Sequence, residues 1–216
     1  MAERAQDQAQ ALRRISTGTI AHYRSFAQAY REGTWQHDVS QNIAALLAAI
    51  EGAPPLRILD LGCGPGRDLV AFRRLGHEPT GLDACPEFVD MARRLAVGEV
   101  WLQDMLALDL PAAQFDGVFA NAVLFHVPSL ALPRVLGDLW QALKPGGVLF
   151  SSNPRGSNEE GFADRRYACF WDLPTWRSLV EGAGFVLVEH YFRPPDKPRH
   201  QQPWLATVWR KPPASG

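Results

Sequence analysis

The chain has 216 residues, of which 46% are hydrophobic and 21% charged, a composition typical of one globular domain with a sizeable core. Its 22 basic and 23 acidic residues leave a net charge of −1, which excludes the basic field that attracts nucleic acid. Three scattered cysteines (Cys63, Cys85 and Cys169) exclude a disulfide scaffold or a zinc cluster and predict a reduced, cytoplasmic protein.

The N-terminal quarter is expected to be helical after a polar beginning. Residues 1–19 are rich in Gln, Ala and Arg, which predicts a flexible lead-in without the apolar core of a signal peptide. Apolar residues recur at helical spacing from Ile20 onward, and Asp38 is placed to cap a second helix. We therefore expect a helical lid over residues 20–51, within a single domain at 20–216. No apolar run in the sequence is long enough to span a membrane.

A glycine-rich turn follows the first predicted strand, near residues 57–61. Gly62, Gly64 and Gly66 stand at alternate positions, and without Cβ atoms they let the backbone approach a ligand closely. A helical pattern resumes directly afterwards, so the turn opens a βα unit of a nucleotide-binding sheet. A dinucleotide fingerprint reads G-x-G-x-x-G, but here the third glycine comes one residue early and Arg67 occupies the expected place.

Carboxylates end the first three predicted strands. Asp60 precedes the glycine turn, and Asp83 follows 23 residues later, close to the interval of about 20 residues at which a ribose-binding acid follows such a turn. A carboxylate suits this work because its two oxygens accept charge-assisted bonds from two vicinal hydroxyls. Asp104 ends the third strand, after Val100-Trp101-Leu102-Gln103.

The acid, the G-x-G-x-G turn and the two later acids together resemble class I S-adenosylmethionine (SAM)-dependent methyltransferases. The run Lys144-Pro145-Gly146-Gly147 resembles the family's turn into its fifth strand. The resemblance implies an α/β, Rossmann-like, mostly parallel seven-stranded sheet of order 3-2-1-4-5-7-6, with an antiparallel last strand and helices on both faces. Strands are predicted near residues 57–61, 79–83, 99–103, 115–120, 146–151, 184–190 and 203–210, and helices near 66–75, 86–96, 129–143 and 173–182.

The resemblance also implies a SAM site with a role for each acid. Asp60 would hold the methionine moiety with the glycine backbone, Asp83 the ribose, and Asp104 the adenine amino group. Asn121 lies where family members hold the cofactor ammonium with a backbone carbonyl. Tyr23 on the lid is a further candidate, although an aromatic residue there could equally pack on the core. The implied cofactor-binding residues are Asp60, Gly62, Cys63, Gly64, Asp83, Ala84, Asp104, Met105, Leu106, Asn121 and Tyr23.

Two histidines are candidates for a general base. His126 lies in Ala122-Val-Leu-Phe-His, which resembles the family's segment after strand four, and an imidazole titrates near neutral pH. A packing or hydrogen-bonding role is the alternative for His126. His37 is the second candidate, in a loop that should overhang the cofactor.

The acceptor side of the pocket is expected to combine the lid with the connection after the fifth strand. Residues 153–172 are polar and then abruptly aromatic, and a long connection at the mouth of a site is usually functional. The candidate acceptor-binding residues are Tyr30, Trp35, Arg155, Tyr167 and Trp171.

These features predict methyl transfer from SAM to an O, N or S atom of a small molecule by in-line displacement, without a metal. The expected protein is a monomer or homodimer that binds neither nucleic acid nor membrane. Two alternatives stay open at this point. One is an NAD(P)-dependent oxidoreductase on a related sheet, and the other is a catalytically silent SAM-binding interaction protein.

Overall fold

The computed structural model describes residues 2–213 and contains a seven-stranded sheet with a separate two-stranded hairpin. The strands are β1 (Arg57–Leu61), β2 (Glu78–Asp83), β3 (Val100–Leu102), β4 (Phe115–Asn121), β5 (Leu143–Pro154), β6 (Glu159–Ala163), β7 (Arg166–Phe170), β8 (Val186–Arg193) and β9 (Trp204–Arg210). The α-helices are α1 (Ala2–Arg24), α2 (Ala27–Thr34), α3 (Ser40–Ala49), α4 (Arg67–Arg74), α5 (Pro86–Arg93), α6 (Leu132–Ala142) and α7 (Leu173–Gly182).

The main sheet has the order β3-β2-β1-β4-β5-β9-β8. Strands β1 to β5 pair in parallel, and β9 lies antiparallel to both β5 and β8. Once the hairpin of β6 and β7 is set aside, this order is the predicted 3-2-1-4-5-7-6, so the predicted fold is confirmed. The carboxyl ends of β1 to β4 therefore meet at one edge, where α/β sheets bind ligands.

Apolar side chains pack on both faces of the sheet. One cluster joins the sheet to α6 and α7, with Leu139 and Trp176 fully buried. The other joins it to α3 and α4, where Phe72 packs edge-on against Phe119 at 5.2 Å between ring centroids. No helix within residues 2–213 combines the length and the apolar character needed to cross a bilayer.

The N-terminal helix begins much earlier than the sequence predicts. Residues 2–19 lie in α1 rather than in a flexible lead-in, while Met1 lies outside the described residues. The abundant Ala, Gln and Arg of this segment favour a helix, and Thr19 Oγ1 accepts a hydrogen bond from the Tyr167 amide at 3.0 Å. The helix then stops at Arg24, so Tyr23 and Tyr30 stand on two helices instead of one.

The connection after β5 also differs from the expected polar loop. Residues 159–170 form the hairpin of β6 and β7, which turns at Asp164 with φ +57°. The hairpin packs against α1. A Cβ added to Gly18 would lie 3.6 Å from the Phe162 ring of β6 and 3.7 Å from the Arg165 carbonyl in the turn, and the Tyr167 amide of β7 donates to Thr19. The hairpin and α1 together cover the carboxyl edge of the sheet.

Candidate active site

A cleft of about 100 Å³, open to solvent, lies between the carboxyl ends of the parallel strands and the helices α1, α2 and α5. Concave sites that are mainly apolar, with a few convergent polar groups, are typical ligand sites. Its lining comprises Ser16, Thr19, Ile20, Tyr23, Tyr30, Gly62, Gly64, Leu82, Asp83, Ala84, Cys85, Phe88, Asp104, Met105, Leu106, Ala122, Val123 and His126.

The glycine turn forms the floor of this cleft. Gly62 and Gly64 have φ values of +68° and +53°, a region that side chains other than glycine rarely occupy. A Cβ added to Gly62 would run into the side chain of Val123. A Cβ added to Gly64 would meet only the Tyr30 ring, at 3.9 Å, so the Gly64 backbone faces the open cleft.

Asp83 ties the end of β2 to the glycine turn. Its Oδ2 accepts a hydrogen bond from the Gly64 amide at 2.9 Å, and its Oδ1 accepts one from the Cys85 amide at 2.8 Å. Burial raises the pKa of Asp83 to about 6, although the Cys85 and Gly64 amides oppose the shift. Because each carboxylate oxygen has two acceptor sites, both oxygens keep one site for a ligand hydroxyl.

Asp60 lies beneath the same turn and is only 2% exposed. Its Oδ2 has no hydrogen-bond partner among the described residues. Burial and the neighbouring Asp68 raise the pKa of Asp60 well above its usual range, while the Arg67 guanidinium lowers it. That guanidinium is already paired with Asp68 at 2.7 Å. A buried carboxylate without a partner is costly, so this position suits a cationic ligand group such as an ammonium.

Asp104 connects the end of β3 with the lid. Its Oδ1 accepts from the Leu106 amide at 2.8 Å, and its Oδ2 accepts from the Ser16 hydroxyl of α1. The contact places α1 directly over the third acidic position. Asp83 and Asp104 thus line one cleft, and Asp60 lies beneath its glycine turn on the adjacent strand.

His126 and Tyr23 form a hydrogen-bonded pair in the lining of the same cleft. His126 Nδ1 lies 2.6 Å from the Tyr167 carbonyl, which only accepts, so this nitrogen carries the proton. Nε2 of the neutral ring then accepts from the Tyr23 hydroxyl at 2.8 Å. Burial lowers the pKa of His126 to about 4, and the Arg166 charge adds to the shift. At neutral pH the imidazole is therefore uncharged, with its lone pair already engaged.

Comparison with known proteins agrees with this geometry. A family model described as a methyltransferase domain matches residues 28–190. The chain belongs to the class I SAM-dependent methyltransferases. The family match supports this interpretation over the NAD(P)-dependent oxidoreductase.

Two curated relatives show how much of the chain is shared. Trans-aconitate 2-methyltransferase of Azoarcus sp. is 36% identical over 116 residues, which cover 53% of this chain and 45% of that protein. Ubiquinone biosynthesis O-methyltransferase of Xanthomonas campestris pv. campestris is 40% identical over 113 residues, covering 49% and 46%. The chain thus matches about half the length of these curated relatives.

A solved structure shows the same fold over nearly the whole chain. The 1,6-didemethyltoxoflavin-N1-methyltransferase of Burkholderia thailandensis has a TM-score of 0.74 and 24% identity, and the match covers 95% of this chain and 90% of that one. That enzyme was crystallised with 1,6-didemethyltoxoflavin and S-adenosylhomocysteine. At 24% sequence identity, this similarity is evidence for a shared fold alone.

More than half of the residues that the methyltransferase resemblance singled out line the cleft. Those residues are Tyr23, Tyr30, Gly62, Gly64, Asp83, Ala84, Asp104, Met105, Leu106 and His126. Asp60 and Cys63 lie just below it, and the Cys63 thiol packs toward the core. Asn121 ends β4 with its side-chain Oδ1 accepting from Asn42 at 2.9 Å. Their individual roles stay predictions.

Several predicted residues are not brought into the cleft. His37 is exposed between α2 and α3, and Trp35 is half-buried with the Arg31 guanidinium 4.6 Å from its ring centroid. Neither residue is part of the cleft lining as the sequence suggested, since α2 ends at Thr34 and its last lining residue is Tyr30.

The acceptor residues predicted after β5 serve other contacts in the structure. Arg155 donates to the Gln202 carbonyl at 2.7 Å and therefore holds the connection between β8 and β9. Trp171 is buried in the core. Tyr167 reaches the site through its backbone, which bonds Thr19 and His126, rather than through its ring.

The sequence-based analysis missed one face of α1. Ser16, Thr19 and Ile20 line the cleft together with Tyr23, at the spacing i, i+3, i+4 and i+7 of a single helix face. Two of these residues are small and polar, so the search for apolar periodicity passed over them. Their helical spacing relative to Tyr23 was the available signal.

Proposed function

We propose that this chain transfers the methyl group of SAM to an O, N or S atom of a small-molecule acceptor. The observation that carries the proposal is the pair of carboxylates, Asp83 and Asp104, that line one cleft, with the unpartnered carboxylate of Asp60 buried beneath its glycine turn. Three carboxylates beside an open glycine turn suit a ligand that combines positive charge with ribose hydroxyls and an amino group. The relatives named for trans-aconitate and for ubiquinone biosynthesis support a small acceptor.

The residues of the cleft would bind and align rather than carry out covalent chemistry. When bound, SAM supplies a methyl group that its sulfonium already activates. Asp60 would hold the ammonium of the methionine moiety, Asp83 the ribose hydroxyls and Asp104 the adenine amino group. Tyr23 and Tyr30, whose rings meet edge to face at 5.6 Å, would help to exclude water and orient the acceptor.

Titrating the protein with SAM and with NAD tests the cofactor assignment directly. We expect calorimetry to give a micromolar-range dissociation constant for SAM and for S-adenosylhomocysteine, and no heat of binding for NAD. An acceptor panel, with S-adenosylhomocysteine release as the readout, then separates an enzyme from a silent SAM-binding protein. Binding without release across the panel would favour the silent alternative.

His126 is expected to act as a positioning residue. Its Nε2 is occupied by Tyr23 and its pKa is low, so we expect His126→Ala to lower kcat through a misplaced Tyr23 hydroxyl, by about tenfold. The dissociation constant of S-adenosylhomocysteine should stay within about twofold. His126→Asn, which retains a hydrogen-bond acceptor, should restore part of kcat.

The matched control is His37→Ala, because His37 is exposed outside the cleft and its loss should leave turnover unchanged. An inflection of the pH–rate profile near the pKa of a free imidazole, present in the wild type and absent in His126→Ala, would instead identify His126 as the general base. Loss of turnover in His37→Ala would contradict its placement outside the site.

The lid formed by α1 and α2 is expected to become more ordered when ligand binds. Its helices line the cleft with Ser16, Thr19, Tyr23 and Tyr30, and a ligand there adds contacts to them. Amide hydrogen exchange should therefore slow across residues 12–40 on addition of S-adenosylhomocysteine, and much less across β8 and β9. Equal exchange rates with and without ligand would contradict the proposal that α1 and α2 act as a lid over the bound ligand.

A further inference from the structure

Arg166 is a cationic side chain that contacts the cleft through the hydroxyl of Tyr23, a lining residue. It begins β7, and its Nη1 donates to the Tyr23 hydroxyl at 3.3 Å, while the same hydroxyl bonds His126 at 2.8 Å. The ion pairs found among residues 6–213 do not include Arg166. Only one of its N–H groups has a hydrogen-bond partner among these residues.

Charged side chains of both signs stand around the cleft. Asp83 and Asp104 line it at the ends of β2 and β3, Asp60 lies beneath its glycine turn, and Arg166 reaches the Tyr23 hydroxyl from the hairpin. His126 is neutral, and the Arg166 charge is one of the causes of its low pKa. A cation at this position disfavours a positively charged acceptor and attracts an anion.

Aromatic rings border the cleft next to Tyr23, the residue that Arg166 contacts. Tyr23, Tyr30 and Phe88 lie with centroids 5.2 to 6.1 Å apart and line the cleft. Their faces suit a flat or apolar body, and the planar guanidinium fork matches a carboxylate through two parallel hydrogen bonds.

We propose that the acceptor carries a carboxylate, which binds Arg166 beside the Tyr23 hydroxyl. The inference rests on the proposed methyltransferase function and specifies its substrate class. Arg166 acts here as a specificity-determining residue, and the acid-lined part of the cleft remains for the cofactor.

The test uses benzoate and its neutral isostere benzamide as probes, with protein saturated with S-adenosylhomocysteine. Ligand-observed NMR titration should show benzoate binding at least tenfold more tightly than benzamide. Arg166→Gln should weaken benzoate by about tenfold or more, the loss of one or two charge-assisted hydrogen bonds, and leave benzamide unchanged. Arg166→Lys should recover part of the affinity, since it retains the charge but not the fork.

Arg165→Gln is the matched control, because Arg165 is the exposed residue directly before Arg166. This variant should bind both probes as the wild type does. Equal affinity of the two probes, no detectable benzoate binding, or full benzoate affinity in Arg166→Gln would overturn the proposal. Calorimetry with S-adenosylhomocysteine distinguishes failure of the proposed methyltransferase function from failure of the proposed acceptor class. Absence of its binding to the wild type would refute the proposed function, whereas normal binding with no carboxylate preference refutes only the acceptor class.

Discussion

Replacing Asp83 with alanine is expected to lower the affinity for SAM and S-adenosylhomocysteine by roughly 100-fold or more. The change would remove the two charge-assisted hydrogen bonds that we propose Asp83 accepts from the ribose, each worth ~1.5–3 kcal/mol. It also frees the amides of Gly64 and Cys85, which Asp83 holds at 2.9 and 2.8 Å, so the glycine turn loses its anchor. Isothermal titration calorimetry measures the effect, and circular dichroism checks that the fold is retained.

The same carboxylate should make cofactor binding depend on pH. Burial raises the pKa of Asp83 to about 6 in the free protein, and ligand hydroxyls that donate to the carboxylate would lower it in the complex. Affinity is then fully present above pH 6 and decreases as the pH falls below it. Asp83→Asn should flatten this dependence, with the remaining slope due to Asp60. Unchanged affinity in Asp83→Ala would contradict the ribose assignment.

The strands and their acidic ends could be predicted because each depends on local sequence, whereas the order of the sheet followed from the resemblance to class I methyltransferases. Asp60, Asp83 and Asp104 end strands with clear apolar patterns, and the parallel order of those strands brings the acids together. The antiparallel pair at the end of the chain agrees with the short proline-rich connection at 193–198, which leaves no room for a crossover helix between its strands. Side chains at strand ends need no further tertiary information to be placed at a common edge.

The lid and the acceptor side could not be predicted in the same way, since they depend on contacts between distant segments. Ser16 reaches the site only because α1 crosses the end of β3, 88 residues later in sequence. Arg166 enters through a hairpin whose alternating pattern was hidden among charged residues, and it meets Tyr23 across 143 residues. Charged residues in a loop give no sign of which one faces a cleft.

Alanine substitution at the two glycines of the turn, Gly62 and Gly64, should have different effects, mainly on stability at Gly62 and mainly on cofactor binding at Gly64. At Gly62 we expect Gly62→Ala to lower the free energy of unfolding by about 3 kcal/mol or more. The positive φ costs roughly 1–2 kcal/mol, and the new methyl group runs into Val123 in the packed core. Urea denaturation measures this loss.

Gly64→Ala carries the same backbone strain but finds open space, with only the Tyr30 ring at 3.9 Å. We therefore expect a stability loss of roughly 1–2 kcal/mol and a large loss of cofactor affinity, because the methyl group occupies the space that the ligand needs. Gly64→Val, with its branched Cβ, should abolish binding of S-adenosylhomocysteine.

Gly137→Ala supplies the control for a glycine-to-alanine change, since Gly137 lies inside α6 with no atom near its missing Cβ. It should raise stability by up to about 1 kcal/mol through helix propensity and leave cofactor binding unchanged. The pair at the turn therefore distinguishes packing from ligand contact. If Gly64→Ala binds S-adenosylhomocysteine as tightly as the wild type, the turn does not contact the cofactor, and the proposed placement of the cofactor in the cleft is contradicted.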